Sequence, residues 1–189
     1  MSEQPDFDRN MPQAERIERL SPLVRRVIAP NPGPFTFTGT CTYIIGDRDM
    51  IVIDPGPEEP AHRDLIMKAI GTSRLNAILV THTHRDHSPL AKTLKSLTGV
   101  PLMGCGPHQL ARALNEGEIN PLDASSDYDY EPDLILNDGE RMNFGDIEIE
   151  VLATPGHTIN HLAFALLNET ALFSGDHVMG WSTSIVAPP

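Results

Sequence analysis

The segment with the most chemical potential is residues 81–87, which read Thr-His-Thr-His-Arg-Asp-His directly after a short apolar run. Side chains two residues apart in an extended segment point to the same side, so His82 and His84 could bind one metal ion. Asp86 and His87 would then serve a second ion. The alternative is a solvated polar loop that is merely rich in histidine. Two such pairs at these offsets favour the metal site.

Two later segments could supply further ligands. A Pro-Gly turn follows the alternating strand predicted at 147–151 and presents His157. The apolar run 171–173 is followed by Asp176, a carboxylate that could bridge two cations. A histidine or an aspartate at the end of a strand is, by itself, more often a turn former. Together with residues 81–87, the two segments predict ligands that converge on one site.

The hydrophobic pattern predicts the elements that must position these residues. The ligand segment would lie between a buried strand and a helix, with Ser88 as the N-cap, Pro89 at the first helical position and Gly99 as the stop. Further strands are predicted at 23–29, 40–46 and 50–53, and further helices at 61–70 and 107–114.

These motifs resemble those of the metallo-β-lactamase superfamily, whose hallmark is His-x-His-x-Asp-His followed by a later histidine and a bridging aspartate. The resemblance covers most of the chain. It implies an α/β fold, the four-layer αβ/βα sandwich of that family, which would be incomplete here at the C-terminus. The implied ligands are His82, His84 and His157 for the first metal, Asp86 and His87 for the second, and Asp176 as the bridge between them.

Two more residues would support the ligands rather than bind metal. Ile53-Asp54-Pro55-Gly56 resembles the family's early Asp-x-Gly at the end of a strand, where Asp54 would orient the ligand loop. A simple Asp-Pro-Gly turn is the alternative for this segment. Thr158, which follows a predicted ligand, is the second expected support.

Secondary matches narrow the resemblance within the superfamily. Residues 31–34, 39–43 and 174–176 resemble the group called β-lactamase-like protein 2, which includes single-stranded-RNA endonucleases and bacterial hydrolases. One departure is Cys41, which stands where that group's version of the strand has asparagine. The Pro/Gly-rich loop 31–39 is either a flap over the substrate or a plain surface connection.

The larger departure is a missing ligand. The family's second metal needs another histidine well after the bridging aspartate, and here only His177 follows Asp176. Adjacent to a presumed ligand, His177 would point away from the metals. The length of 189 residues is also short for such a sandwich, which commonly needs roughly 200–250. We therefore expect a polar N-terminal extension at 1–20 and a truncated domain at 21–189, with a last strand at 185–189.

A sandwich that ended there would leave a sheet face and an edge uncovered, which a partner chain or a second copy could repair. A homo-oligomer is therefore one expectation.

Composition limits the partners. The formal net charge of −12 disfavours a stable nucleic-acid complex, although bound dications would make the site itself positive. No apolar stretch is long enough to cross a bilayer, and the acidic N-terminus does not resemble a secretory signal, so the expected location is the cytoplasm. Cys41 and Cys105 are expected to be reduced packing residues. Arg85 should face away from the metals, and the acidic stretch 123–133 resembles an insertion or a lid with no assigned chemistry.

The expected function is that of a metal-dependent hydrolase. A metal-bound hydroxide would attack an ester, thioester, lactone or phosphodiester, with Asp86 and Asp176 as proton acceptors. Zinc is the expected metal, two ions per complete site, with manganese or iron as alternatives. Three other functions stay open: a single-stranded-RNA endonuclease of the same fold, a mononuclear iron persulfide dioxygenase that uses only the first site, and an inactive metal-binding fragment.

Overall fold

A computed structural model describes residues 14, 16–120 and 123–186. The predicted N-terminal extension lies mostly outside the described residues. Its last part, Ile17–Arg19, forms a short strand that pairs with the first predicted strand of the domain.

The larger of two sheets contains seven strands: β1 (Ile17–Arg19), β2 (Val24–Ile28), β3 (Cys41–Gly46), β4 (Asp49–Ile53), β5 (Arg74–Val80), β6 (Leu102–Gly104) and β7 (Leu134–Ile135). They lie in sequence order across the sheet. The pairs from β1 to β4 are antiparallel, and those from β4 to β7 are parallel. The strands predicted at 23–29, 40–46 and 50–53 agree with β2, β3 and β4 to within one residue at each end.

Two helices make the crossovers that parallel neighbours require. Helix α1 (Pro60–Ile70) joins β4 to β5, and helix α2 (Leu90–Thr98) joins β5 to β6. Each helix buries one face on the larger sheet, with Ile66 from α1 and Leu94 from α2 fully enclosed in the core. The apolar spacing that predicted these helices is therefore the spacing of their buried faces.

The start of α2 differs from the prediction. Pro89, not Ser88, takes the N-cap position, and the helix begins at Leu90. The Ser88 hydroxyl instead donates to the carboxylate of Asp127 and also lies 3.2 Å from the carbonyl oxygen of His84. The side chain that was expected to cap the helix thus ties the ligand segment to a distant loop.

The smaller sheet contains four antiparallel strands, β8 (Arg141–Phe144), β9 (Ile147–Ala153), β10 (Leu162–Leu166) and β11 (Ala171–Phe173), in the order β11-β10-β9-β8. Alternate residues of β9 are buried, and Ile149 and Val151 join the same core cluster as Ile44 of the larger sheet. The two sheets therefore pack face to face. Among the described residues, no helix covers the outer face of the smaller sheet.

The prediction of a helix at 107–114 is wrong. This segment contains only bends and irregular backbone. None of its residues is buried, so a helix here would have no apolar face to pack against the core, and short helices are marginal without such packing. Within this segment, Arg112 forms an ion pair with Glu118, which lies farther along the same loop.

The acidic stretch 123–133, which was predicted to be an insertion or a lid, is partly buried. Ser126, Asp127 and Tyr130 are buried, and the backbone N–H of Asp127 donates to the carbonyl of Thr83. Arg85 faces away from the ligands, as predicted, and donates through Nε to the carbonyl of Ser126. The stretch therefore braces the outer side of the ligand segment. At the end of the chain, residues 185 and 186 form no strand, and 187–189 lie outside the described residues.

Candidate metal centre

The first group of predicted ligands converges at the edge where β5 ends. Nε2 of His82 and Nδ1 of His84 are 3.2 Å apart. The turn after β9 brings Nε2 of His157 to 2.9 Å from the same Nδ1 of His84. One carboxylate oxygen of Asp176, Oδ2, is 3.3 Å from Nε2 of His157 and 4.0 Å from Nε2 of His82. The four ligand atoms all lie within 4.8 Å of one another.

The second group lies beside the first. Nε2 of His87 is 3.3 Å from Oδ2 of Asp86 and 3.4 Å from Oδ1 of Asp176. The two oxygens of Asp176 therefore face different groups, Oδ2 toward the first and Oδ1 toward the second. This is the arrangement that a carboxylate bridging two cations requires. The hydroxyl of Thr40 donates to Oδ2 of Asp86 over 2.7 Å and holds that carboxylate in place.

The two groups differ in protonation. Burial, together with the neighbouring imidazoles, lowers the pKa of His82 well below its usual value and that of His84 to about 4. Burial alone would also lower the pKa of His87, but the carboxylates of Asp86, Asp176 and Asp54 outweigh it and raise that pKa well above 6.5. Burial would raise the pKa of Asp86, yet the neighbouring His87 holds it well below its usual range.

Asp54 supports a ligand from each group. It directly follows β4 and has a backbone φ of 50°, an unusual conformation for a residue other than glycine. Its Oδ1 accepts the backbone N–H of Thr81, and its Oδ2 accepts the Thr81 hydroxyl and lies 3.0 Å from Nδ1 of His87. The same hydroxyl lies 2.9 Å from Nδ1 of His82. Asp54 thus contacts His87 directly and is linked to His82 through the Thr81 hydroxyl.

The other predicted residues near the site have different surroundings. The Thr158 hydroxyl is buried without a hydrogen-bonding partner among the described residues, so the structure shows no contact for its expected supporting role. The Thr158 carbonyl accepts the N–H of Gly156 and closes the turn that carries His157. His177 is exposed. Cys41 and Cys105 are free thiols, as expected, and burial raises the pKa of each.

Sequence reasoning missed His161. This histidine lies four residues after His157, at the entry to β10, and is almost completely buried. Its ring stacks on that of His82, with centroids 4.8 Å apart and planes at 26°. Burial and the nearby imidazoles lower its pKa to about 3. The repeat of histidine within one short segment was the available signal, but the contact with His82 joins residues that are far apart in the chain.

A cavity of about 280 Å³ opens beside the second group and is bordered by Asp86, His87 and Asp176. Its walls include aromatic residues from separate loops and strands, namely Phe35, Tyr43, Phe173 and Trp181. The loop 31–39 contributes to this wall and is held by the stacking of Phe37 on Trp181, with ring centroids 5.4 Å apart. The loop therefore borders the space next to the ligands.

The donor set fits a divalent transition metal. Three imidazoles present nitrogen atoms to a common point, and two of these imidazoles carry lowered pKa values, which keep them in the neutral form that binds metal. A carboxylate completes the set, and nitrogen with oxygen is a ligand combination typical of zinc.

Within the described residues, neither helix has the length and apolarity needed to cross a bilayer.

Comparisons with known proteins agree with this geometry. The family model of the metallo-β-lactamase superfamily matches residues 35–188. The chain is 34% identical over 181 residues to an atrochrysone carboxyl ACP thioesterase from Aspergillus terreus, covering 94% of this chain and 50% of that protein. It is 32% identical over 185 residues to the lactamase-like protein ptaB from Pestalotiopsis fici, covering 94% of this chain and 52% of that protein. The chain thus spans about half the length of these curated relatives.

Solved structures show the same fold. A β-lactamase domain protein from Burkholderia ambifaria superposes with a TM-score of 0.74 at 21% identity, over 96% of this chain and 60% of that one. ETHE1 from Myxococcus xanthus superposes with a TM-score of 0.58 at 25% identity, over 83% of this chain and 58% of that one. With the family model matching most of its length, the chain belongs to the metallo-β-lactamase superfamily.

Proposed function

We propose that this chain forms the metal-binding part of a metal-dependent thioesterase. The observation that carries the proposal is the convergence of His82, His84, His157 and Asp176, whose ligand atoms lie within 4.8 Å of one another. His82, His84 and His157 would hold the first ion, Asp86 and His87 the second, and Asp176 would bridge them. Zinc is the proposed metal, with manganese or iron as alternatives, because imidazole and carboxylate ligands together suit all three.

A bound divalent metal would supply Lewis acidity, which lowers the pKa of a coordinated water and polarises a substrate carbonyl. The chain's own residues would do the rest. Asp86 and Asp176 line the cavity, and their lowered pKa values keep both carboxylates ionised, which is the form that binds a cation. Both are the proposed proton acceptors during attack. The hydrogen bond from Thr40 to Oδ2 of Asp86 would hold that carboxylate in a fixed orientation beside His87.

The thioester is favoured by the relatives and by the walls of the cavity. Atrochrysone carboxyl ACP thioesterases from several fungi are 31–34% identical to this chain. The cavity beside the ligands has aromatic walls suited to an apolar acyl group. Apart from His87, Arg26 is the one basic residue among those that border it, and Arg26 is already paired with Glu18 at 2.8 Å. Such a cavity suits an RNA backbone poorly, because binding phosphates requires several free cations.

The test uses the purified chain after removal of metal and reloading with zinc. Metal content per chain is measured by mass spectrometry, and hydrolysis of acyl thioesters of N-acetylcysteamine is followed by release of the free thiol. We expect turnover that disappears when a chelator is added, returns with zinc and is lost in His84→Ala. The matched control is His177→Ala, which removes an exposed histidine next to Asp176 and should retain activity.

Three results would contradict the proposal. Thioester hydrolysis that is unaffected by the chelator would remove the metal from the reaction. Cleavage of single-stranded RNA without thioester hydrolysis would favour the endonuclease. One tightly bound iron and no hydrolysis of either substrate would favour the mononuclear dioxygenase.

A further inference from the structure

We propose that His161 is a positioning residue that sets the three ligand-bearing segments of the metal centre relative to one another. These segments are the end of β5 with His82, the turn with His157, and the turn with Asp176. The inference rests on the proposed function, because it takes these residues to be the ligands. His161 itself is not one of the four residues whose ligand atoms cluster.

The first contact joins the two sheets. His161 precedes β10 of the smaller sheet, whereas His82 follows β5 of the larger one, and their two buried rings stack with centroids 4.8 Å apart. The next residue, Leu162, donates its backbone N–H to the carbonyl of Thr81 over 2.8 Å. The ring of His161 therefore backs the ring of His82 at a point where the two sheets are also hydrogen-bonded. A ring packed in this way restricts the rotamer of its neighbour.

The second contact closes the turn that carries His157. Nδ1 of His161 lies 2.8 Å from the hydroxyl of Thr154, and the backbone N–H of Thr154 donates to the His161 carbonyl over 2.9 Å. The side chain and the backbone of His161 thus hold the first residue of the turn. Because His157 lies between these two residues, its position depends on both bonds.

The third contact limits how closely the Asp176 turn approaches. Gly175 has a φ of +49°, and a Cβ at this position would lie 2.8 Å from Nε2 of His161 and 2.8 Å from the Thr81 hydroxyl oxygen. Real Cβ atoms do not approach other atoms this closely, so only glycine fits against the ring. The imidazole and Gly175 together set the distance between the Asp176 turn and the end of β5.

These contacts explain why a buried polar ring stands at position 161. An apolar ring could stack on His82 but could not bond to Thr154, and a small polar residue could bond to Thr154 but could not fill the space against His82 and Gly175. Residues that orient metal ligands from behind typically change metal affinity by 10–100-fold when they are replaced. We expect an effect of that size from His161, although it touches no metal.

The test measures zinc binding, not turnover. Metal-free parent chain, His161→Ala and His161→Asn are titrated with zinc by calorimetry, and the unfolding temperature of each metal-free protein is recorded. The visible spectrum of the cobalt-loaded forms reports the ligand geometry. His161→Asn retains a polar atom near the Nδ1 position and so can keep the bond to Thr154 without the ring stack. Lys92→Ala, at an exposed position of α2, is the control.

We expect His161→Ala to lower the affinity for the first zinc ion by about 10–100-fold and to alter the cobalt spectrum. The affinity of His161→Asn should lie between those of His161→Ala and the parent. Lys92→Ala should bind zinc within twofold of the parent. A role in folding alone would lower the unfolding temperature of the metal-free protein and leave the affinity and the spectrum unchanged, and that result would overturn the inference.

A variant that fails to fold does not end the test. If His161→Ala does not fold, His161→Asn and Gly175→Ala are measured instead, since the added methyl group of Gly175→Ala presses on the same ring; parent-like zinc affinity in both would overturn the inference. A parent chain that binds no zinc would refute the proposed function. A parent chain that binds zinc and hydrolyses thioesters, with His161 variants that bind it equally well, would refute only the role of His161.

Discussion

The two ligand groups of the candidate metal centre differ in charge and in number of ligands. His82, His84 and His157 form a buried set of imidazoles, and the burial that encloses them lowers the pKa of His82 and of His84. In the second group, His87 lies between the carboxylates of Asp86 and Asp176, which favour its protonated form, and the group borders an open cavity. The same residue types thus produce a buried cluster of imidazoles on one side and a charged group beside a cavity on the other.

This difference suggests that the two ions bind with unequal strength. Structural and catalytic zinc ions take about four ligands, and the first group with Asp176 provides four among the described residues. The second group provides Asp86, His87 and the shared Asp176, and its histidine must lose a proton before it can bind metal. We therefore expect the first ion to be retained during purification and the second to exchange with solvent.

The largest expected effect is that of removing a ligand from the first group. His84→Ala deletes the nitrogen that lies nearest to both His82 and His157, so thioester hydrolysis should fall by more than about 100-fold, beyond the range for residues that only support a ligand. Initial rates and metal content measured on the same preparation check this. Full zinc content with unchanged turnover would show that the first group does not hold the essential ion.

Acid should destabilise the packing around the Asp54–Gly56 turn, which lies next to the second group. His62 is completely buried against Thr42 and the Asp54–Gly56 turn, and burial lowers its pKa from 6.5 to about 4. The unfolded chain therefore binds a proton that the folded chain does not, so this residue's stabilisation is complete above pH 6.5 and is lost as the pH falls toward 4. The loss amounts to about 3 kcal/mol.

Urea unfolding of the metal-free protein between pH 7 and 4 measures this effect. The matched variant is His62→Gln, which keeps a polar group near Nε2 for Thr42 but does not titrate. The free energy of unfolding of the parent should decrease more steeply with acid than that of the variant. Parallel pH profiles for the two proteins would mean that folding does not lower the pKa of His62.

Asp54→Asn should lower the affinity for both metal ions rather than for one. Asp54 bonds directly to His87 and reaches His82 through Thr81, and replacing such a support typically costs 10–100-fold in metal affinity. Zinc titration of the metal-free variant, with Asp47→Asn as an exposed control, separates the two binding steps. A change in only one step would show that Asp54 does not couple the groups.

The smallest effect belongs to Thr40→Val, which should affect the second ion alone. The substitution keeps the shape of the side chain and removes the hydrogen bond to Asp86, which is worth roughly 1.5 kcal/mol for a charged acceptor, or about tenfold in affinity. The first binding step should be unchanged in the same titration. A weakened first step would contradict the separation of the two groups.

Local patterns predicted much of the fold. The strands β2, β3 and β4 and the helix α1 were predicted closely because their apolar spacing is the spacing of their buried faces. The stop of α2 was predicted because Gly99 takes a left-handed φ of 72°. The helix at 107–114 failed because its residues suit a helix, whereas no surface of the core lies where they could pack.

The amino-acid sequence by itself determined which residue types stand at the ends of the strands, and hence the ligand set that we propose and the superfamily. Only the tertiary structure decided which atoms of those residues meet. Asp54 reaches Thr81 and His87 because β4 and β5 are parallel neighbours in the larger sheet and end at the same edge. His161 stacks on His82, which is 79 residues away in the chain, because the two sheets pack face to face. Such contacts leave no periodic trace in the chain, since they depend on how strands and sheets meet and not on local spacing.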